Sequence, residues 1–287
     1  MRECYRREYP AVFPLLTGFV TCGKIKEKVV MQMKANYHTH TWRCNHATGT
    51  ERQYVEKGIQ AGLEILGFAD HAPYIFPDGY YSSFRMRLDQ LSGYVDTVLA
   101  LREEFADKIQ IPLGLEMEFY PKHLPELLTV LRDQPLDYLI LGQHFVHNEY
   151  DAPYSGVGSR DEGLLRQYVR QTCDAMNTGL FTYFAHPDLI NFRGSERVYR
   201  QHVRDICREA KGCGVPLEFN LLGLSTGRHY PTPAFWEMAA EEGCDVILGR
   251  DAHEPEALLD EKTEEKALRI LNSLGISPME TANLRKI

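Results

Sequence analysis

Several histidines near residue 40 have the spacing of metal ligands. His38 and His40 are separated by one residue, and His46 follows shortly after them. Side chains in an extended strand alternate between its two faces, so His38 and His40 project to the same side. Two imidazoles on one face can bind one divalent ion at about 2 Å each. An HxH pair alone is a weak signal, and its weight depends on the rest of the chain.

Acidic or histidine side chains also follow five other short apolar runs. The segments are Phe68–His71, Gly114–Glu118, Leu141–His144, Phe184–Pro187 and Leu248–His253. Any one of these side chains could serve only to hydrogen-bond the end of a strand. Burial of so many ionisable groups together is costly unless positive charge compensates them. Metal ions would supply that charge, so the combined pattern predicts a metal centre.

The number of candidate ligands indicates more than one ion. The candidates are His38, His40, His46, His71, Glu116, His144, His186, Asp251 and His253. This number suits two or three ions, and Glu116 or Asp251 could bridge two of them. Bound ions lower the pKa of a bridging water from about 15.7 toward about 7, and they neutralise phosphate oxygens. The pattern therefore predicts hydrolysis of a phosphate ester by a metal-bridging hydroxide.

The elements that must position these residues alternate along the chain. The predicted strands are 35–38, 64–70, 109–119, 138–144, 181–186, 216–221 and 245–251. The predicted helices are 51–61, 88–106, 121–132, 161–178, 198–211, 233–242 and 264–274. Such alternation is typical of a parallel α/β barrel or of an open doubly wound sheet. The polar residues lie at the carboxyl ends of nearly all the strands, which converge only in a ring, so we predict a barrel.

Length and composition agree with an ordinary soluble protein. The chain has 287 residues, a net charge of −8 and an odd number of cysteines, seven, without a CxxC pair. A disulfide framework is not indicated, and we expect a cytoplasmic protein. The acidic charge disfavours a nucleic-acid partner. The apolar run 11–20 loosely resembles a signal peptide, but it contains Pro14 and Gly18 and lacks a cleavage site, and it is too short to span a membrane.

The domain prediction is a loosely ordered N-terminal extension over residues 1–32, followed by one barrel domain over residues 33–287.

The motifs HTH, ADH, GLE, GQH, AHP and RDAH, in that order, resemble the PHP family (polymerase and histidinol phosphatase) over about residues 33 to 275. The CNHATGT segment is most similar to the histidinol-phosphate phosphatase branch. This resemblance implies a distorted, TIM-like (β/α)7 barrel with parallel strands and a trinuclear metal centre.

The resemblance also implies how the ligands are divided among three divalent ions, which we expect to be zinc, iron or manganese. The first ion would take His38, His40, Glu116 and Asp251. The second would share Glu116 and add His144 and His186, and the third would take His46, His71 and His253. Arg250 departs from the family pattern, in which many relatives have Ser or Thr, and it could reach phosphate or face a neighbouring loop.

Candidate substrate contacts lie in the predicted loops after three strands. Arg160 follows a glycine-containing loop, and Arg197 and His229 come after the next two strands. A phosphate monoester needs cationic groups besides the metals, although an arginine in such a loop could also be a solvated surface charge. His229 could be a general acid or a hydrogen-bond donor. The predicted catalytic residues are Asp251, His253, Glu116 and His229, and Asp70 is predicted to orient a ligand.

The resemblance implies a phosphatase that hydrolyses L-histidinol phosphate in histidine biosynthesis. Three alternatives remain at this stage: a phosphoesterase acting on nucleotides or other small monoesters, a metal-dependent amidohydrolase, and a non-catalytic metal-binding module. The partner we expect is a small phosphorylated substrate, with neither nucleic acid nor a membrane, and the oligomeric state is not predicted.

Overall fold

The computed structural model describes residues 33–286. The extension predicted over residues 1–32 lies outside this range. The strands are β1 (Ala35–Asn36), β2 (Ile65–Leu66), β3 (Phe68–His71), β4 (Leu113–Met117), β5 (Tyr138–Leu141), β6 (Tyr183–Phe184), β7 (Leu217–Asn220) and β8 (Val246–Gly249). Each overlaps a predicted strand, and β2 and β3 are two parts of one predicted run, interrupted at Gly67.

All strand pairs are parallel, and neighbours in the sheet are neighbours in sequence. Strands β3 to β8 form one sheet in that order, and β1 pairs with β2. The segment after β1 joins the two edges. The Ala252 amide donates to the His38 carbonyl at 3.0 Å, and the His40 amide donates to the Ala252 carbonyl at 2.9 Å. On its other side, the Ala69 amide donates to the Thr39 carbonyl at 2.9 Å.

These bonds place seven strand positions around a ring, as in the predicted (β/α)7 barrel, which is confirmed. The helices are α1 (Glu51–Gln60), α2 (Leu91–Glu104), α3 (Leu124–Leu131), α4 (Glu162–Asn177), α5 (Glu196–Cys213), α6 (Leu221–Ser225), α7 (Pro233–Glu241) and α8 (Glu261–Ser273). Seven of them are the predicted helices, and the short α6 directly after β7 was not predicted.

Local capping explains where several helices begin. The Thr50 and Gln53 side chains form a capping box at the start of α1, which satisfies amides that have no partner within the helix. The Asp161 and Ser195 side chains accept backbone hydrogen bonds at the starts of α4 and α5. Asp260 does the same for α8. For this reason α5 and α8 begin two or three residues earlier than the apolar pattern predicted.

Large side chains fill the inside of the ring. Tyr37, Tyr138, Tyr183, Ile140 and Ile247 form a buried cluster there. The Tyr138 hydroxyl lies 2.6 Å from the carbonyl oxygen of Tyr37. The interior is therefore packed rather than open, as in other barrels of this size. Polar side chains are left to the carboxyl ends of the strands.

Candidate metal centre

All nine candidate ligands lie at the carboxyl ends of the strands or in the connections that follow them. His38, His40, Glu116 and His186 are at most 2% exposed, whereas His46 is exposed. Burial therefore decreases across the centre from His38 to His46. This gradient gives one deep region and one that opens to solvent.

Four side-chain atoms converge in the deep region. His38 Nε2 lies 3.1 Å from His40 Nε2 and 3.4 Å from Asp251 Oδ1. His40 Nε2 lies 3.2 Å from the same Asp251 oxygen. Glu116 Oε2 is 3.5 Å from His38 Nε2 and 3.4 Å from His40 Nε2.

These separations match the edges of a coordination tetrahedron. Ligand atoms about 2.0–2.1 Å from a tetrahedral zinc ion stand about 3.3–3.4 Å apart. Glu116 Oε2 is buried and lacks a well-formed hydrogen bond within residues 33–286. A divalent cation would satisfy this oxygen and the two facing imidazole nitrogens together. The residues present therefore fit a metal ion.

The other oxygen of Glu116 faces two further imidazoles. Glu116 Oε1 lies 2.9 Å from His186 Nε2 and 3.7 Å from His144 Nε2. The two carboxylate oxygens of Glu116 thus point at two different groups of histidines. This is the geometry that a bridging carboxylate requires.

A third group lies toward the exposed side of the centre. His46, His71 and His253 place ligand atoms within 4.8 Å of one another, and the Nε2 atoms of His46 and His253 are 2.9 Å apart. Cys44, two residues before His46, is fully buried. Its sulfur also lies within 4.8 Å of ligand atoms of His40 and His253.

Outer hydrogen bonds orient four of the imidazoles. The Nδ1 atoms of His38 and His144 each lie 2.8 Å from a glutamate oxygen, of Glu218 and Glu118 respectively. The Nδ1 atoms of His46 and His253 contact the backbone carbonyls of Cys44 and Asp251 at 2.7 and 2.9 Å. An Nδ1–H that donates outward leaves the Nε2 lone pair directed inward, which is the usual arrangement for a metal-binding histidine.

Backbone geometry also shapes the centre. His186 and Asp251 have φ angles of +34° and +49°, a region that residues with side chains rarely adopt and that costs about 1–3 kcal/mol. A Cβ atom on Gly142 would lie 1.9 Å from Glu116 Oε1, and one on Gly249 would lie 1.7 Å from Glu218 Oε1. Glycine is therefore required where these two carboxylates pass the neighbouring strands.

The electrostatics of the centre favour bound cations. Burial opposes charge on all these groups, yet the surrounding imidazoles hold the pKa of Glu116 and of Asp251 well below the usual range. Burial also opposes charge on His38, but Glu218, Asp251 and Glu116 raise its pKa to about 10. The pKa of His253 falls well below its usual value because of burial and the nearby His40. The carboxylates are thus ionised and need positive partners.

Two neighbouring residues have structural contacts. Asp70 accepts hydrogen bonds from the amide and hydroxyl of Thr41, and its other oxygen lies 3.5 Å from His40 Nδ1. This agrees with the orienting role predicted for it. Arg250 points away from the centre, because its guanidinium pairs with Glu264 and donates to the Asp260 carbonyl. Of the two alternatives left open for Arg250, the structure supports contact with a neighbouring segment.

The predicted substrate contacts differ in their surroundings. Arg160 is exposed in the connection between β5 and α4. Arg197 is also exposed, but it lies in the first turn of α5 rather than in a loop, because Ser195 begins that helix. Neither side chain makes a hydrogen bond or ion pair within residues 33–286. Both guanidinium groups are free to contact a ligand.

His229 does not have the environment of a general acid. Burial lowers the pKa of His229 to about 4, so its ring is neutral near pH 7. Its Nε2 atom lies 2.6 Å from the carbonyl oxygen of Leu189 and must donate to it. The single N–H of the neutral ring is therefore already engaged. This geometry argues against the predicted role as a general acid. It leaves His229 as a positioning residue or as a hydrogen-bond acceptor through Nδ1.

The structure adds three residues that were not among the predicted site residues. Glu118 and Glu218 hold His144 and His38, as described above. Arg228 donates to the Tyr230 hydroxyl at 2.7 Å, and the Asp251 carboxylate contributes to its raised pKa. The two glutamates had a readable signal, since each is an acid within or directly after a buried strand. Arg228 had none, because loop arginines are common.

Two short patterns of nucleophilic enzymes occur in the chain without the required structure. Gly223–Gly227 has the form GxSxG, but Ser225 ends the helix α6, and its hydroxyl donates to the Leu222 carbonyl at 3.1 Å. Cys244–Arg250 has the form CxxxxxR, but most of it is the strand β8. Neither segment forms the exposed turn that presents a serine, nor a loop around an anion.

Fold and site together define a parallel α/β barrel with an imidazole–carboxylate centre at the carboxyl ends of its strands. Residues 36–221 match the family profile described as PHP domain. The chain belongs to the PHP family.

The chain is 36% identical over 230 residues to a "Probable histidinol-phosphatase" of Deinococcus radiodurans, covering 76% of this chain and 85% of that protein. It is 26% identical over 254 residues to the "Histidinol-phosphatase" of Bacillus subtilis, covering 77% and 94%. The fold is similar to the histidinol phosphate phosphatase of Lactococcus lactis complexed with zinc, L-histidinol and phosphate. That similarity has a TM-score of 0.68 at 22% identity and covers 88% of this chain and 99% of the other. Within the described residues, no helix is both long and apolar enough to cross a membrane.

Proposed function

We propose that this protein is a metal-dependent phosphatase that hydrolyses L-histidinol phosphate to L-histidinol and phosphate. One observation carries the metal-dependent part. His38 Nε2, His40 Nε2, Glu116 Oε2 and Asp251 Oδ1 converge with the separations of a coordination tetrahedron. The names of the relatives from Deinococcus radiodurans and Bacillus subtilis support the substrate.

The proposed centre holds three divalent ions of zinc, iron or manganese. His38, His40, Glu116 and Asp251 would hold the first, and Glu116, His144 and His186 the second. His46, His71 and His253 would hold the third. Support for this division comes from the two oxygens of Glu116, which face different histidine groups, and from the separate convergence of His46 and His253.

Bound ions would neutralise phosphate oxygens and supply an activated water at neutral pH. The protein holds Glu116 and Asp251 ionised, and it orients four imidazoles through their outer nitrogens. His186 and Asp251 keep their positions although their backbone is strained, which indicates a site formed before substrate arrives. Arg160, Arg197 and Arg228 would supply the positive charge that the phosphate group requires beyond the metals.

A comparison of substrates tests the assignment. We would measure kcat/KM of the metal-loaded protein for histidinol phosphate, p-nitrophenyl phosphate, AMP and a short oligonucleotide. We expect histidinol phosphate to be preferred by at least about 100-fold, equivalent to about 2.7 kcal/mol of transition-state discrimination. A preference for AMP or the oligonucleotide would mean that the substrate is a nucleotide rather than histidinol phosphate. Absence of hydrolysis of all four would contradict the phosphatase itself.

A further inference from the structure

Arg85 is a buried cation in the connection between β3 and α2, and it makes contacts on several sides. Its side chain is 1% exposed. Nη2 lies 3.0 Å from Glu118 Oε2, and Nε lies 2.8 Å from Glu149 Oε1. Nη1 donates to the Ala72 carbonyl at 2.6 Å. Arg85 thus joins the segments that follow β3, β4 and β5.

One of its partners contacts the metal centre. Glu118 uses one oxygen for Arg85 and the other for His144, whose Nδ1 atom lies 2.8 Å away. The opposite nitrogen of His144 faces the shared carboxylate of Glu116. A continuous series of charged and polar contacts therefore runs from Arg85 through Glu118 to His144.

Arg85 supplies the positive charge that Glu118 faces. Glu118 is fully buried, and a buried carboxylate is stable as an ion only where a cation and hydrogen-bond donors reach its oxygens. The Arg85 guanidinium, 3.0 Å from Oε2, and His144 Nδ1, 2.8 Å from Oε1, meet both requirements. An ionised carboxylate can only accept, so His144 must donate through Nδ1. A charged acceptor also makes the stronger hydrogen bond.

The same connection packs against a ligand of the metal centre. Phe84, next to Arg85, stacks on Phe145 with ring centroids 5.7 Å apart, and it packs edge-on against His71 at 5.4 Å. Glu149 is held in turn by the hydroxyl of Ser82. Arg85 is therefore the buried charge to which this connection and the ligand His144 are both tied.

We propose that Arg85 is a positioning residue that acts through Glu118 to fix the tautomer and orientation of His144. The proposal rests on the proposed metal-dependent function, because it assigns the residue to the ion held by Glu116, His144 and His186. In this role Arg85 does not contact the substrate.

The test is binding of Zn²⁺ alone, measured by competition with a chromophoric chelator and by metal content. In Arg85→Met and Glu118→Gln, the affinity for one ion should fall about 10–100-fold, the usual effect of losing an outer partner of a metal-bound histidine. Arg102→Met is the matched control. Arg102 also pairs with an acid, Asp137, but at the amino end of the strands, so its zinc affinity should be unchanged.

A double-substitution cycle identifies the ion. His144→Ala should lower the affinity for the same ion. Adding Arg85→Met to His144→Ala should lower that affinity little further, because both substitutions act on one residue. ¹⁵N NMR of His144 in the metal-free protein should show an Nδ1–H in the wild type and a mixture of tautomers in Arg85→Met. Unchanged zinc affinity in Arg85→Met, or full additivity with His144→Ala, would overturn the proposal.

Two further results keep the outcome decisive. If Arg85→Met does not fold, the zinc affinities of Arg85→Lys and Glu118→Gln test the proposal instead. Lysine retains the charge of Arg85 but not its paired contacts, so Arg85→Lys should have an intermediate zinc affinity. Zinc affinity equal to wild type in both would overturn the proposal. A protein that fails to hydrolyse histidinol phosphate but shows the Arg85-dependent zinc affinity would refute only the substrate.

Discussion

The Nε2 atoms of His46 and His253 lie 2.9 Å apart, although 207 residues separate them in the sequence. The first belongs to the connection after β1 and the second to the connection after β8. They meet because the segment after β1 hydrogen-bonds to Ala252 and brings the first strand beside the last. Ring closure is therefore what completes the exposed part of the centre.

The first prediction concerns the deep group of ligands. Asp251→Asn keeps the size of the side chain but removes a charge that faces His38 and His40 at 3.2–3.4 Å. We expect the variant to bind about one ion fewer per chain, because a carboxylate is a much better ligand than a neutral amide. Metal analysis by mass spectrometry measures this directly.

Asp245→Asn is the control for that experiment. Asp245 is exposed just before the amino end of β8. Within residues 33–286 its one ion pair is with Lys211, at 3.8 Å. Its metal content should equal that of the wild type. The same metal content in Asp251→Asn and wild type would contradict the ligand assignment.

The second prediction follows from the close approach of Gly142 to Glu116. An alanine methyl group would stand 1.9 Å from Glu116 Oε1, so Gly142→Ala must displace this carboxylate. Misplacement of about 1 Å in an active site can cost about 100-fold in rate, and we expect a loss of that order in kcat/KM together with weaker metal binding.

Gly212→Ala provides the comparison. Gly212 lies in α5, and nothing stands within 4 Å of an added Cβ. Alanine should stabilise this helix by about 0.5–1 kcal/mol without affecting kcat/KM. Gly142→Ala with wild-type activity would show that Glu116 can move without consequence.

A third prediction concerns His229 and pH. The pKa of His229 is lowered to about 4 by burial, below the value of about 6.5 for an unfolded histidine. The neutral ring therefore contributes stability that is present above about pH 6.5 and is lost as the pH falls through about 4. His229→Gln should lessen the loss of stability on acidification, measured as the unfolding midpoint in urea between these pH values.

Activity separates the two roles considered for His229. Loss of a general acid costs about 10²–10⁴-fold and removes a limb of the pH–rate profile. We expect His229→Gln to lose less than about tenfold in kcat and to keep the shape of the profile, because the ring is neutral in this range. A larger loss with a missing limb would restore the acid role.

The fourth prediction concerns metal removal. In the metal-free protein, the pKa of His38 is raised to about 10 by its acidic neighbours, against burial. The protonated ring then contributes stability that is fully present below about pH 6.5 and is lost as the pH rises through about 10. Glu116 and Asp251, with lowered pKa values, contribute stability that is lost on acidification.

Chelator-treated protein should therefore lose thermal stability between neutral pH and pH 10 more steeply than metal-loaded protein. Metal binding requires neutral imidazole, so it should release protons near pH 7. Calorimetric titration with zinc in buffers of different ionisation enthalpy counts them. Binding without proton release would contradict the protonated state of His38.

The sequence by itself determined the order of the strands and helices, because hydrophobic periodicity and capping residues are local signals. It also indicated which histidines and acids stand at strand ends, and the structure brings all nine of them to one end of the barrel. Its element boundaries were less accurate where a cap decided them, as at Asp260.

Only the tertiary structure decided which side chains meet. Glu218 contacts His38 across 180 residues, and Arg85 reaches His144 through Glu118. Arg250 turns toward Glu264, and His229 is fixed by the Leu189 carbonyl. Such contacts depend on ring closure and on the paths of the connections, which no local pattern encodes. The charged groups that shift the pKa values and fix the orientation of the ligands therefore come together only in the closed barrel.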